Sequence, residues 1–133
     1  MRRILTVFVI LFLFQSVLSA CGAGGAADNN TAPKAIESYL QALVTQDQAK
    51  LTTLSCAVWE EQAKLEVDSF QAVKASLDGL VCKDTGKDGD ASLVVCDGKI
   101  VATYNNENQE IPLNARTYKA VQEGGEWRMC GYK

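Results

Sequence analysis

Five cysteines and not one histidine set the chemistry open to this 133-residue chain. Without an imidazole, Ser-His-Asp and Cys-His nucleophilic arrangements are excluded. Cys56, Cys82, Cys96 and Cys130 are an even set in a short chain, which reads as two disulfides and an oxidising compartment. Three pairings are open. The favoured one joins Cys82 to Cys96 and Cys56 to Cys130; the first closes a loop of about 15 residues, worth roughly 3 kcal/mol in the chain-entropy account. No Cys-x-x-Cys pair exists, so the spacing of a four-cysteine zinc site is missing, and neither metal nor cofactor is expected. Asp84, Asp88, Asp90 and Asp97 cluster near turns, but Asp88-Gly89-Asp90 falls short of a calcium loop and reads as solvated turn residues. The adjacent carboxylates Glu60 and Glu61 diverge around a helix, and so do Glu66 and Asp68, so neither pair converges for acid–base work.

The residues that remain are aromatic and basic. Tyr39, Trp59, Tyr104 and Tyr118 are the candidates for the wall of a ligand cavity, with core packing the bland alternative. Arg116, and Arg128 on the final strand, could take an anion; the ordinary role of such residues is a cross-strand pair with an acid such as Glu126.

These side chains need elements to hold them. After Pro33, the residues Ile36, Tyr39, Leu40, Leu43 and Val44 recur at helical spacing, predicting an amphipathic helix that ends near Asp47. Residues 49–54 read as a short second helix. Trp59, Ala63, Val67, Phe70, Val73 and Leu77 step by three or four, predicting a longer helix closed by Asp78-Gly79, with Glu60, Glu61, Lys64, Glu66 and Asp68 on its outer side. The period then changes to two. Residues 80–82, 91–96 and 99–105 read as strands, the last two joined by Asp97-Gly98, a strong hairpin signal. Residues 110–122 read as one strand with an irregularity at Pro112, and Gly124-Gly125 turns the chain into a last strand, 126–132. Helices first and antiparallel strands after them predict an α+β domain, with the helices packed on one face of a curved antiparallel sheet.

The first 20 residues have a different character. Arg2 and Arg3 precede a run from Ile4 to Leu18 broken only by Thr6, Gln15 and Ser16, which is the pattern of an export signal and is shorter than the roughly 20 residues a spanning helix needs. The run closes in Leu18-Ser19-Ala20-Cys21, which resembles the lipobox of bacterial lipoproteins. That resemblance implies diacylglycerol on the Cys21 thiol, cleavage ahead of it, and a cell-envelope protein held to the membrane by lipid. Residues 21–32 carry no large apolar side chain and read as a flexible tether, leaving residues 33–133 as one domain. Loss of Arg2 and Arg3 takes the net charge from −3 to −5, which argues against nucleic acid and against electrostatic attachment to anionic lipid.

Two segments of the domain carry a second resemblance. Ala35-Ile36-Glu37-Ser38-Tyr39-Leu40-Gln41-Ala42-Leu43, followed by Asp47 and a short helix, looks like the opening of nuclear transport factor 2-like (cystatin-like) domains. Arg116-Thr117-Tyr118-Lys119 and the stretch from Glu126 to Tyr132 resemble their last hairpin. The resemblance implies a cone of sheet wrapped by helices, often with a pocket, and leaves function open. Three readings follow: a non-enzymatic module binding a small apolar ligand, an interaction subunit for another envelope protein, and a histidine-free enzyme using tyrosine and carboxylate. A cavity of several hundred cubic ångströms favours the first, an exposed apolar sheet patch the second, a buried carboxyl beside a tyrosine hydroxyl the third.

Replacing Cys21 by Ala removes the acceptor of the lipid, so the variant is expected in the soluble fraction where the parent chain sediments with membranes. Continued membrane retention of Cys21→Ala, followed by fractionation and immunoblotting, would sink the lipobox assignment.

Overall fold

The computed structural model describes residues 29–133. The export signal over residues 1–20, the lipidation site Cys21 and the tether as far as residue 28 lie outside the described residues. Within them the chain forms helices α1 (Ala32–Val44), α2 (Gln48–Thr53) and α3 (Glu60–Ser69), then strands β1 (Lys74–Asp88), β2 (Ala91–Tyr104), β3 (Glu107–Pro112), β4 (Tyr118–Glu123) and β5 (Glu126–Tyr132). A single 3-10 turn, Leu113–Ala115, separates β3 from β4.

Helix α1 begins one residue ahead of Pro33. Thr31 is its N-cap, and the Thr31 hydroxyl accepts from the Lys34 amide at 3.4 Å. Ala32 is already buried, and the Asn29 carbonyl accepts from the Trp127 amide, so the end of the expected tether is packed against the domain. The inner stripe is Ala32, Ala35, Ile36, Tyr39, Leu40 and Leu43, spaced at three and four. The helix stops at Gln46, whose φ of 57° is left-handed. The Gln46 amide then donates to the Phe70 and Val73 carbonyls at 2.7 and 3.0 Å, which ties the end of α1 to the turn after α3.

All five strands are antiparallel in one sheet of order β1-β2-β4-β5, with β3 also on β2. Strand β2 is the spine. One of its edges pairs with β1 along nearly its whole length; the other is shared, Ser92–Val94 with β4 and Lys99–Tyr104 with β3. Its even-numbered residues Ser92, Val94, Cys96, Ile100 and Ala102 are buried beneath the helices, as a period of two requires. Both disulfides lie at the edges of this layer. Cys82–Cys96 is a directly cross-strand pair of β1 and β2, with Cα atoms 4.0 Å apart. Cys56–Cys130 ties the segment after α2 to β5, where the Leu54 carbonyl accepts from the Met129 amide and the Cys56 amide donates to the Met129 carbonyl, both at 2.8 Å. Two disulfides in so small a domain place it in an oxidising compartment outside the cytoplasm.

Four sequence expectations are corrected here. The helix expected from Trp59 to Leu77 ends at Ser69. Ala75 and Leu77 satisfy a strand period equally well, and pairing opposite Ala102 and Ile100 decides between the two. Asp97-Gly98 is not a hairpin turn. It lies within β2, opposite a bulge in which Gly79 and Leu80 stand against one residue of the partner. The expected strand over residues 110–122 is broken by the 3-10 turn after Pro112, where the edge of β2 passes from β3 to β4. The nuclear transport factor 2-like cone is likewise replaced by this layout, a forked sheet on one long strand under three helices.

Gly98 sits at φ +98°, and a Cβ there would lie 2.5 Å from the Asp78 carbonyl oxygen and 2.6 Å from the carbonyl of Gly79. Gly89, at φ +61°, has open space around the same position. Gly98→Ala is therefore expected to lower stability by about 2–4 kcal/mol, against about 1 kcal/mol for Gly89→Ala. Urea midpoints of the two variants measure the difference; equal losses would refute the close approach at the bulge.

Candidate functional site

Helix α3 presents Trp59, Ala63, Glu66 and Phe70 along one side, at steps of four, three and four. Glu66 therefore points inward, although adjacent Leu65 is solvent-exposed. Its carboxylate accepts two phenols, one from each flanking element. Tyr39 of α1 donates to Oε2 at 2.6 Å, and Tyr132 of β5 donates to Oε1 at 2.9 Å. The Tyr39 oxygen in turn accepts from the Trp59 indole N–H at 3.2 Å. A single knot of polar groups thus joins α1, α3 and β5, and each member has a partner, as half-buried polar groups require.

Aromatic rings surround the knot. Trp59 and Tyr132 meet edge to face with centroids 5.5 Å apart, and Tyr118 meets Tyr132 at 5.4 Å. Gly131 permits this: its φ is +118°, and a Cβ there would already touch the Trp59 ring at 3.4 Å. The Arg116 guanidinium lies over the outer face of Tyr132, 4.8 Å from its centroid. Burial pushes the Tyr118 phenol up to about 12, with the Glu66 carboxylate acting in the same direction and Arg116 against it. Burial also drives the Tyr39 and Tyr132 phenols well above the ordinary value, and their bonds to Glu66 add to the shift. All three phenols are donors at neutral pH.

Beside this knot opens a cavity of about 610 Å³. Leu40, Leu43, Phe70, Ile100 and Leu113 supply most of its apolar wall, Trp59, Glu66, Tyr118 and Tyr132 one side, and Arg116 the mouth. Its size is that of a small-molecule site, for which roughly 300–1,000 Å³ is usual. Of the residues expected from sequence, Trp59, Tyr118 and Arg116 meet here. Tyr39 is fully buried behind the wall and reaches the site through Glu66 and Trp59. Tyr104 does not belong to it. It is exposed at the end of the β2–β3 hairpin, beside a second hollow of about 420 Å³ with Lys74 and Asn106. Glu66 is the residue the sequence reading misplaced, on the outer side of the helix. Its steps from Ala63 and Phe70 carry the signal, but a charged residue on an inward stripe is outweighed by its own polarity. Arg128 forms the ordinary pairs, with Glu126 at 3.5 Å and Glu123 at 4.0 Å, and is not an anion site.

No protein-family model and no curated protein matches the sequence. Among solved structures, a SEC-C motif containing protein from Rhodopseudomonas palustris, determined in solution, has a similar fold: TM-score 0.54 at 8% identity, over 79% of each chain. That neighbour puts the fold with a SEC-C motif protein and corrects the nuclear transport factor 2-like assignment. The resemblance behind that assignment rested on an amphipathic opening helix and a closing hairpin. Many helix-on-sheet chains contain both, and neither determines how strands share an edge.

The raised phenols predict how stability responds to alkali. A phenol whose folded value lies above its unfolded value of about 10 contributes stability fully below pH ~10 and loses it as the pH climbs toward the folded value. For Tyr118 that window runs from about 10 to about 12. Stability by urea unfolding should hold to pH ~9 and then fall, with phenolate absorbance from these tyrosines developing only as the chain unfolds. A flat profile to pH ~12 would contradict the burial of the phenols.

Proposed function

We propose that this protein is a lipid-anchored module of the bacterial cell envelope, held by diacylglycerol on Cys21, that binds a small apolar ligand in the cavity between α3 and the sheet. One observation carries the binding reading: an apolar-walled cavity of about 610 Å³ in which the inner polar groups of Trp59, Glu66 and Tyr132 are already satisfied by hydrogen bonds among themselves and Tyr39. Such a wall recognises shape and apolar surface, and holds a ligand by removing that surface from water. The exposed apolar residues Leu65 and Ile111 stand at the mouth of this cavity. They extend the binding surface there and make no broad sheet patch, which weighs against an interaction subunit.

A carboxylate beside two tyrosine hydroxyls is also the arrangement a histidine-free acid–base enzyme would use. Both Glu66 oxygens already accept an O–H, and the donors give up their protons only at high pH. The cluster is a braced wall on this reading, with the ligand held and left chemically unchanged.

The test uses residues 22–133, which carry the whole described core and both disulfides, exported to a bacterial periplasm. A neutral naphthylamine fluorophore should bind with one saturable site and quench Trp59. Ser69→Trp, which places an indole at the exposed edge of the cavity, should weaken that binding at least tenfold. Binding that fails to saturate, or that ignores Ser69→Trp, would remove the cavity as the site.

A further inference from the structure

The cavity is chemically lopsided. Along its inner wall every polar group has a partner: Glu66 accepts two phenols, the Trp59 N–H is given to Tyr39, and Tyr118 donates to the Leu113 carbonyl at 3.4 Å. A ligand group lying there gains nothing by being polar, and an anion is repelled by Glu66. The mouth differs. Arg116 is exposed there, resting on the Tyr132 ring, and it has no acid within ion-pair distance among the described residues. Six of the described cations, Lys34, Lys64, Lys83, Lys99, Lys119 and Arg128, lie within 4.0 Å of a carboxylate. Arg116 shares its lack of one with several surface lysines, but among the cavity-lining residues it is the cation present. A guanidinium kept unpaired at the rim of an apolar chamber, its plane backed by an aromatic face, leaves its N–H fork free for an anion.

We infer that the ligand is a single-chain amphiphile with an anionic head, its tail among Leu40, Leu43, Ile100 and Leu113 and its head on Arg116. This rests on the cavity being a binding site, and it adds which end of the ligand carries charge and where that charge sits. A cationic head is disfavoured at the mouth, where Arg116 repels it. The exposed side chains of Leu65 and Ile111 give the tail an apolar entry beside the guanidinium.

The experiment compares three probes of one chain length, dodecanoate, dodecanol and dodecyltrimethylammonium, titrated against the same exported domain with Trp59 emission as the signal. Dodecanoate should bind about fivefold tighter than dodecanol, the ratio an exposed ion pair supports, and the ammonium probe weakest of the three. The acid-to-alcohol ratio should shrink toward one between about 0.01 M and about 1 M salt. Arg116→Gln should bring it to about one at low salt, and Arg116→Lys, which keeps the charge, should retain part of it. Binding of all three chains without preference for the acid, or a preference that survives Arg116→Gln, overturns the inference and leaves the cavity reading standing. Failure of all three to bind overturns the cavity reading and this inference with it.

Discussion

A carboxylate set among aromatic rings must find hydrogen-bond donors or leave the interior, and here the donors come from two other elements of the fold. Tyr39 reaches Glu66 from α1 and Tyr132 reaches it from β5, while Trp59 braces Tyr39 from the start of α3. Loss of any one partner would strand another polar group, so the positions of helix and sheet are coupled through this knot. The cavity exists because the knot holds α3 at a fixed place over the sheet. Collapse of α3 onto Ile100 and Leu113 would fill the space and break the bonds to Glu66.

The rest of the architecture supplies the frame against which α3 is held. Strand β2 carries β1 on one edge and divides the other between β3 and β4, and the 3-10 turn Leu113–Ala115 bridges that division. Leu113 is buried there, and Arg116 follows it at the cavity mouth. The branch point of the sheet is thus also the lip of the cavity. The Cys56–Cys130 bond spans 74 residues of sequence and fastens the segment leading into Trp59 to the strand that carries Tyr132. It restrains the two sides of the aromatic wall as one unit, and in the unfolded chain it removes much of the freedom that closing such a wall would otherwise cost.

Much of this was readable in order along the chain. The inner stripe of α1, the alternation of β2 and the Gly124-Gly125 turn each follow from local periodicity or backbone preference, and they stand in the structure. The readings that failed share one cause. Leu77 fits a helical step from Val73 and a strand step from Ala75 at once, and only Ala102 and Ile100 across the sheet choose between them. Asp97-Gly98 has the composition of a turn, but its glycine serves a close approach to the carbonyls of Asp78 and Gly79, which lie about 19 residues away in sequence. The candidate site was legible in part for the same reason. Trp59, Tyr118 and Arg116 were picked out by residue type, whereas Tyr104, equal to them in type, lies at a hairpin end that residue type does not reveal.

By itself the sequence determined what depends on composition and near neighbours: the absence of imidazole chemistry, an even set of four cysteines beyond Cys21, the amphipathic first helix, and a leader that resembles a lipoprotein signal. The tertiary structure alone decided that Glu66 faces inward onto two phenols, that β2 is one forked spine in place of two hairpin strands, and that Arg116 lies over Tyr132 at the mouth of a cavity. Periodicity and turn preference act over a few residues and are written in the local sequence. The partners of Glu66 lie 27 and 66 residues away, and a contact at that range is specified only when the whole core packs.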